Sequence, residues 1–233
     1  MTLYSGGRHE PEPEPAPYDR STARLPLPEA LYVLGHDEQG RPRYHPTILA
    51  MVVAGGLLAE LTISGVLVLA DATPRVVADP HGQRELVRAA ADTIRADPGV
   101  STLDVWLPRF AEEAVVRAGD ALEEAGLCQR QRTRRLGILR SSRVVFTDRS
   151  LLSRTEAWFN SALIWSEQPD RTDAVLASLG RELGAVPPAY TDLTADGRRR
   201  RRQFLADSMD EGLRRIVSAT HRAIANAALG AYR

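Results

Sequence analysis

From Ile48 to Leu69 the chain runs apolar, with Glu60 as the one charged residue in the stretch. At about 1.5 Å per residue this run would reach roughly 33 Å, enough to cross a bilayer. Three features argue for a core helix instead. A carboxylate near mid-bilayer costs on the order of 2.5 kcal/mol or more. Gly55, Gly56, Thr62, Ser64 and Gly65 dilute the apolarity. The run also changes character at Gly65. Before it, "TILAMVVAGGLLAELTIS" favours helix, with Pro46 suited to the first helical position. After it, "VLVL" is short and β-branched and meets a turn at "ADATP". Gly65 reads as the left-handed residue that stops a helix. A helix of about 18 residues that is apolar all round belongs in the middle of a domain, with Glu60 paired to an arginine at the core edge.

The polar and apolar pattern around this helix predicts further elements. Residues 1–24 carry "EPEPEPAP", an extended Glu/Pro tail unable to pack, and the domain is expected over 25–233. Pro28-Glu29 open a short helix to Leu34, and "DEQGRP" turns at Gly40. Val66 to Leu69 and "ADATPRVVAD" form a small hairpin. In "GQRELVRAAADTIRAD", Leu86, Val87, Ala90 and Ile94 recur at helical spacing. The next helix starts at "STLDVWLPRF", with Ser101 as cap and Asp104 at the third position, and runs to Gly126. "RRLGILRSSRVVFTD" reads as two short strands turning at Ser141-Ser142. Ser153 caps a helix with Glu156 three residues on, and the remainder is helical. The fold class is mainly α: a single helical domain around a central apolar helix, with two short β-hairpins.

Composition narrows the function. The net charge is zero, which disfavours a nucleic-acid-coating role. All 30 basic residues are arginine, as in the coding bias of a GC-rich genome, so arginine clusters carry less information than usual. Cys128 is alone, excluding intrachain disulfides and cysteine-based zinc clusters and fitting a reducing compartment. The N-terminus has no apolar leader, which predicts a cytoplasmic protein. The five histidines are scattered, so no metal site or cofactor is expected. Gly55-Gly56 is not a phosphate loop, and Cys128 reads as a packed thiol. No acid, base and nucleophile fall together, so an enzyme is not expected. Two basic features remain. Arg130, Arg132 and Arg134 alternate along a strand with Arg135, Arg140 and Arg143 nearby, and Arg198–Arg202 form a continuous run. Arginine's planar fork suits phosphate.

The segments "LPLPEALYVLGHDEQGRP", "AGGLLAELTISGVLVL", "ALEEAGL" before a basic hairpin, and "PDRTDAVLASLG" resemble the Golgi phosphoprotein 3 family from about Leu25 onward. The resemblance implies a mostly helical domain around a central apolar helix and a peripheral membrane protein. Eukaryotic members recognise phosphatidylinositol 4-phosphate, act as adaptors for Golgi enzymes, and are not enzymes. The hairpin there is implicated in oligomer formation and membrane contact. That assigns Arg134, Arg135, Leu136, Ile138, Leu139, Arg143, Val145 and Phe146 to a membrane or oligomer hairpin. The family's lipid pocket uses one Trp before the long helix, one Arg within it and two Arg on a later helix. Those positions fall here at His45, Ala54, Glu112 and Val115, so none matches. Tyr44, His45, Arg109 and Arg117 are the remaining lipid-headgroup candidates.

Three functions are therefore expected in competition. The first is a membrane-surface module for an anionic lipid headgroup, peripheral on the inner face of the cell membrane. The second is a protein–protein scaffold or homo-oligomer without a lipid role. The third and least favoured is a winged-helix-like nucleic-acid binder using Arg130, Arg132, Arg134 and Arg135, against which the acidic preceding helix argues.

Overall fold

The run that could have crossed a membrane is helix α2 (Pro46–Ile63). Its first turn is set by Pro46 at the first helical position and by the His45 ring, which accepts from the Thr47 amide at 3.3 Å. The helices packed most extensively on it are α1 (Leu27–Leu34), α4 (Leu103–Glu124), α6 (Arg171–Gly180) and α9 (Glu211–Gly230). Two thirds of α2 is buried inside the fold, so its apolarity serves a core surrounded on all sides. The Gly55-Gly56 pair is a packing device. A Cβ at Gly55 would collide with the Thr220 hydroxyl on α9, and one at Gly56 with Leu31 on α1. The computed structural model describes residues 24–81, 83–97, 102–135, 139–148 and 150–230. The tail expected over residues 1–24 lies outside them except for Arg24.

Gly65, at φ +73°, ends α2 as expected, and the chain enters strand β1 (Leu67–Ala70). β1 pairs antiparallel with β2 (Thr73–Val76), from Leu67 opposite Val76 to Ala70 opposite Thr73. The turn is made by Asp71 and Ala72, at φ +50° and +67°. The Ala72 carbonyl accepts the Leu103 amide at 3.1 Å, tying the turn to the start of α4. Helix α3 (Glu85–Ala96) buries Leu86, Val87, Ala90 and Ile94 at the expected spacing.

Three boundaries differ from expectation. Ser101 lies outside the described residues, and the residue before α4 is Thr102, whose side chain makes no cap bond. The β-turn carbonyl already supplies an acceptor for the first turn, and Asp104 instead pairs with Arg222 on α9 at 3.1 Å. Ser141 and Ser142 are not a turn. They lie inside β4 (Leu139–Phe146), opposite Thr133 and Arg132 of β3 (Cys128–Arg135). The ladder runs to Arg135 opposite Leu139, so the chain reverses after Arg135. Serine imposes no left-handed backbone, and a longer ladder satisfies more peptide groups. Helix α5 (Ser150–Asn160) starts ahead of Ser153, because the Asp148 carboxylate accepts from the Ser150 amide at 2.9 Å and its hydroxyl at 2.6 Å. Glu156 pairs with Arg43 at 2.6 Å rather than closing a capping box.

Helix α5 ends in a π-turn, Ser161–Trp165. After α6, a 3₁₀ turn (Arg181–Leu183) leads to α7 (Pro188–Thr191), α8 (Ala195–Asp207) and α9. The described residues thus form a mainly α fold with two separate antiparallel hairpins. The bulkiest fully buried side chains are Trp106 and Phe159, among leucines from α1, α2 and α4.

Candidate functional site

The second hairpin is anchored to the helical body at its base. Arg130 holds one edge: its amide donates to Glu123 at 2.5 Å, its Nε to the other oxygen of Glu123 at 2.8 Å, and its Nη2 to Asp120. Both acids stand on the last turns of α4, and Arg130's bonds hold it protonated. The other edge is held by the loop at Gly40, whose carbonyl accepts the Val144 amide at 2.9 Å. Gly40 has φ +70°, and any Cβ there would overlap the Val144 carbonyl oxygen, so the contact requires glycine. Arg143 Nε donates to the Gln39 carbonyl beside it. Phe146 is half-buried, with its ring edge-on to His36 at 6.3 Å, and with Val145 and Leu152 it lines a cleft of ≈470 Å³. Val145 and Phe146 therefore belong to the hairpin base.

Beyond these ties the ladder continues through five pairs, from Gln131 opposite Arg143 to Arg135 opposite Leu139. Four steps at about 3.4 Å carry it roughly 14 Å further. Between Cys128 and Phe146 the sequence holds six arginines and no carboxylate. The register sets Arg134 directly opposite Arg140. Leu136 and Ile138 lie outside the described residues.

The four headgroup candidates do not converge. Tyr44 is 48% exposed and lies against Gly184 after the 3₁₀ turn, while His45 caps α2. Arg109 on α4 pairs with Asp97 at 2.6 Å and stacks over Trp106 at 4.7 Å. Arg117 bonds Glu113 at 2.8 Å and Glu85 at 3.4 Å. It borders one cleft with Arg84, which bonds Glu60 near the far end of α2. Glu60 follows His45 by fifteen residues, roughly 22 Å of helix. Tyr44 and His45 are thus at one end of α2 and Arg117 at the other. At the family's pocket positions, Ala54 is 0% exposed in the core, Glu112 is exposed and Val115 is half-buried.

One polar cluster was only half legible. Glu60 finds its arginine, Arg84 Nη2, at 2.7 Å, but the same guanidinium also binds Glu29 of α1 through Nη1. Glu29 is 3% exposed, and burial holds its pKa above the usual carboxylate value against the pull of Arg84. Among the described residues, one oxygen of each carboxylate, Oε2, is buried without a hydrogen-bond partner. "LPEAL" looks like an ordinary acidic first turn, and nothing local in the sequence reveals that all of α1 is buried.

Cys128 is 1% exposed, and burial pushes its thiol to about 11, so it is a packed thiol rather than a thiolate nucleophile. Among the described residues no three His, Cys, Asp or Glu side chains gather as metal ligands. In comparison with known families, the model described as Golgi phosphoprotein 3 (GPP34) matches residues 27–226. No curated protein matches the chain.

Proposed function

The chain belongs to the Golgi phosphoprotein 3 (GPP34) family, and we propose that it is a non-catalytic, peripheral membrane-surface module that meets anionic lipid headgroups through its β3–β4 hairpin. The observation that carries this reading is the extended ladder, bearing arginine and no carboxylate, with Arg134 set opposite Arg140. Arg130 is excluded from lipid contact because Asp120 and Glu123 already hold it. This also weakens the nucleic-acid reading, which needed Arg130 on phosphate.

Arg132, Arg134, Arg135 and Arg140 remain for the surface. At about 1 kcal/mol per arginine near an anionic leaflet, they supply roughly 4 kcal/mol, a factor on the order of 10³ in binding. Tyr44, His45, Arg109 and Arg117 are spread over the body, so the proposed selectivity is for anionic charge rather than one phosphoinositide. The corresponding location is the inner face of the cell membrane.

A second reading has its own support. Val144 and Arg130 turn their amides outward to Gly40 and Glu123. By alternation, Arg132, Arg134, Arg140 and Ser142 turn theirs outward too, leaving two strand edges that a second copy of this chain could pair with.

Co-sedimentation with neutral, anionic and phosphatidylinositol 4-phosphate-bearing vesicles, at low and near-physiological salt, separates these readings. Capture by both charged sets, weakened by salt, is expected. Capture by the phosphoinositide alone would call for a specific pocket. No capture even at low salt, together with a stable oligomer free of lipid, would favour the second reading.

A further inference from the structure

The five arginines Arg198–Arg202 do not form one basic face. Arg198 turns inward and donates to the carbonyls of Thr191, at 2.8 Å, and Leu193. Arg201 also turns inward: Nε donates to Leu163 at 2.8 Å, and Nη2 to Ala162 at 2.9 Å and Ser166 at 3.0 Å. Arg199 pairs with Asp196. Arg200 and Arg202 are exposed, and among the described residues neither has a carboxylate within ion-pair distance.

The carbonyls that Arg201 gathers belong to the π-turn closing α5 and to the residue after it. Such turns leave carbonyls poorly satisfied, and one guanidinium bonded to three of them fixes this turn against α8. Held there, Trp165 is 69% exposed. The Arg201 guanidinium also lies 5.0 Å from the ring centre of Phe204, itself 38% exposed. Arg200 stands four residues before Phe204 on the same side of α8. Arg201 thus lies over one exposed ring, Phe204, and holds the turn that carries a second, Trp165, while the unpaired Arg200 stands one helical turn before Phe204.

The charge on α8 is one-sided, and the exposed Glu167 two residues after Trp165 is the carboxylate that Arg200 and Arg202 must outweigh. Helix α8 carries five arginines against two aspartates, Asp196 and Asp207. Asp196 is occupied by Arg199, and Asp207 accepts from Gln203 at 2.8 Å. An indole suits the boundary between headgroups and acyl chains, where its body is apolar and its N–H stays wet, and arginine beside it meets lipid phosphate. We propose that Trp165, Phe204 and Arg200 form a second contact with an anionic bilayer, distinct from the hairpin. Both rings enter the interface while Arg200, flanked by Arg202, binds phosphate. This rests on the membrane-surface reading above.

The test is tryptophan fluorescence of the full chain with phosphatidylcholine–phosphatidylglycerol vesicles, with and without brominated acyl chains. Pelleting is measured on the same samples. Trp106 is 1% exposed and Trp158 is half-buried, so Trp165 dominates any response. The expected result is a blue shift and quenching by bromine that Trp165→Phe abolishes. Arg200→Gln should lower the partition coefficient about fivefold. Because these positions are exposed, the variants should keep the wild-type melting temperature. If the protein pellets with vesicles but its emission is unquenched, or Trp165→Phe is quenched equally, the second contact is refuted and the hairpin reading stands. If the protein does not pellet, both fall.

Discussion

Replacing Arg84 by methionine removes the cation shared by Glu29 and Glu60 while keeping similar bulk. Breaking one side of a buried ion cluster costs about 3–5 kcal/mol, because a charge is left in a medium that cannot solvate it. Arg84 keeps 36% of its side chain in solvent, which places the effect at the lower end, about 3 kcal/mol. For a domain of this size each kcal/mol moves Tm by roughly 2–4 °C, so the variant should melt roughly 6–12 °C lower at pH 7. The pH dependence has a fixed sign. Burial raises the Glu29 pKa above its unfolded value, and loss of Arg84 raises it further. Stability from a raised acid is fully present below the unfolded pKa and is lost as pH rises through the folded one. The deficit of Arg84→Met must therefore shrink as pH falls from 7 toward 4.5. Adding Glu29→Gln to Arg84→Met should recover much of the loss at pH 7. Thermal melts by circular dichroism at both pH values decide it. A deficit under about 1 kcal/mol at pH 7, or one that does not change with pH, would mean that Arg84 does not neutralise a buried Glu29 charge.

Gly40→Ala should cost about 2 kcal/mol or more, through the left-handed φ and the overlap with the Val144 carbonyl. Hydrogen exchange at the Val144 amide should quicken with it. Ala72→Gly should be neutral to stabilising by about 0.5 kcal/mol, since Ala72 holds φ +67° and glycine adopts that without a Cβ penalty; a urea midpoint measures it. Cys128, buried with its thiol at about 11, should resist a thiol-reactive dye in the native state and react fully in denaturant.

The central helix was legible because its apolarity runs all round, and only a surrounded helix or a membrane span needs that. Glu60 then decided between the two, and Arg84 is the partner it required. Helix starts were less legible where tertiary groups supplied the acceptors. Leu103 bonds a β-turn carbonyl, and Ser150 bonds Asp148, so the local serine signal at 153 had no hold on the start of α5. The hairpin was visible as a basic, β-rich stretch, but Arg130's role was not. Its partners Asp120 and Glu123 lie on the preceding helix, and only the fold turns that helix toward the strand. The arginine run at 198–202 likewise read as one continuous basic feature, while two carbonyls of a distant π-turn and one just after it draw Arg201 inward.

The proposed role of the hairpin arginines is to hold the protein to an anionic surface. The direct measurement is vesicle partitioning of wild type against a variant with Arg132, Arg134, Arg135 and Arg140 all changed to glutamine, on phosphatidylglycerol-containing vesicles at low salt. The variant is expected to fold with an unchanged melting temperature and to lose on the order of 10³ in partitioning. Equal partitioning of the two proteins would contradict it.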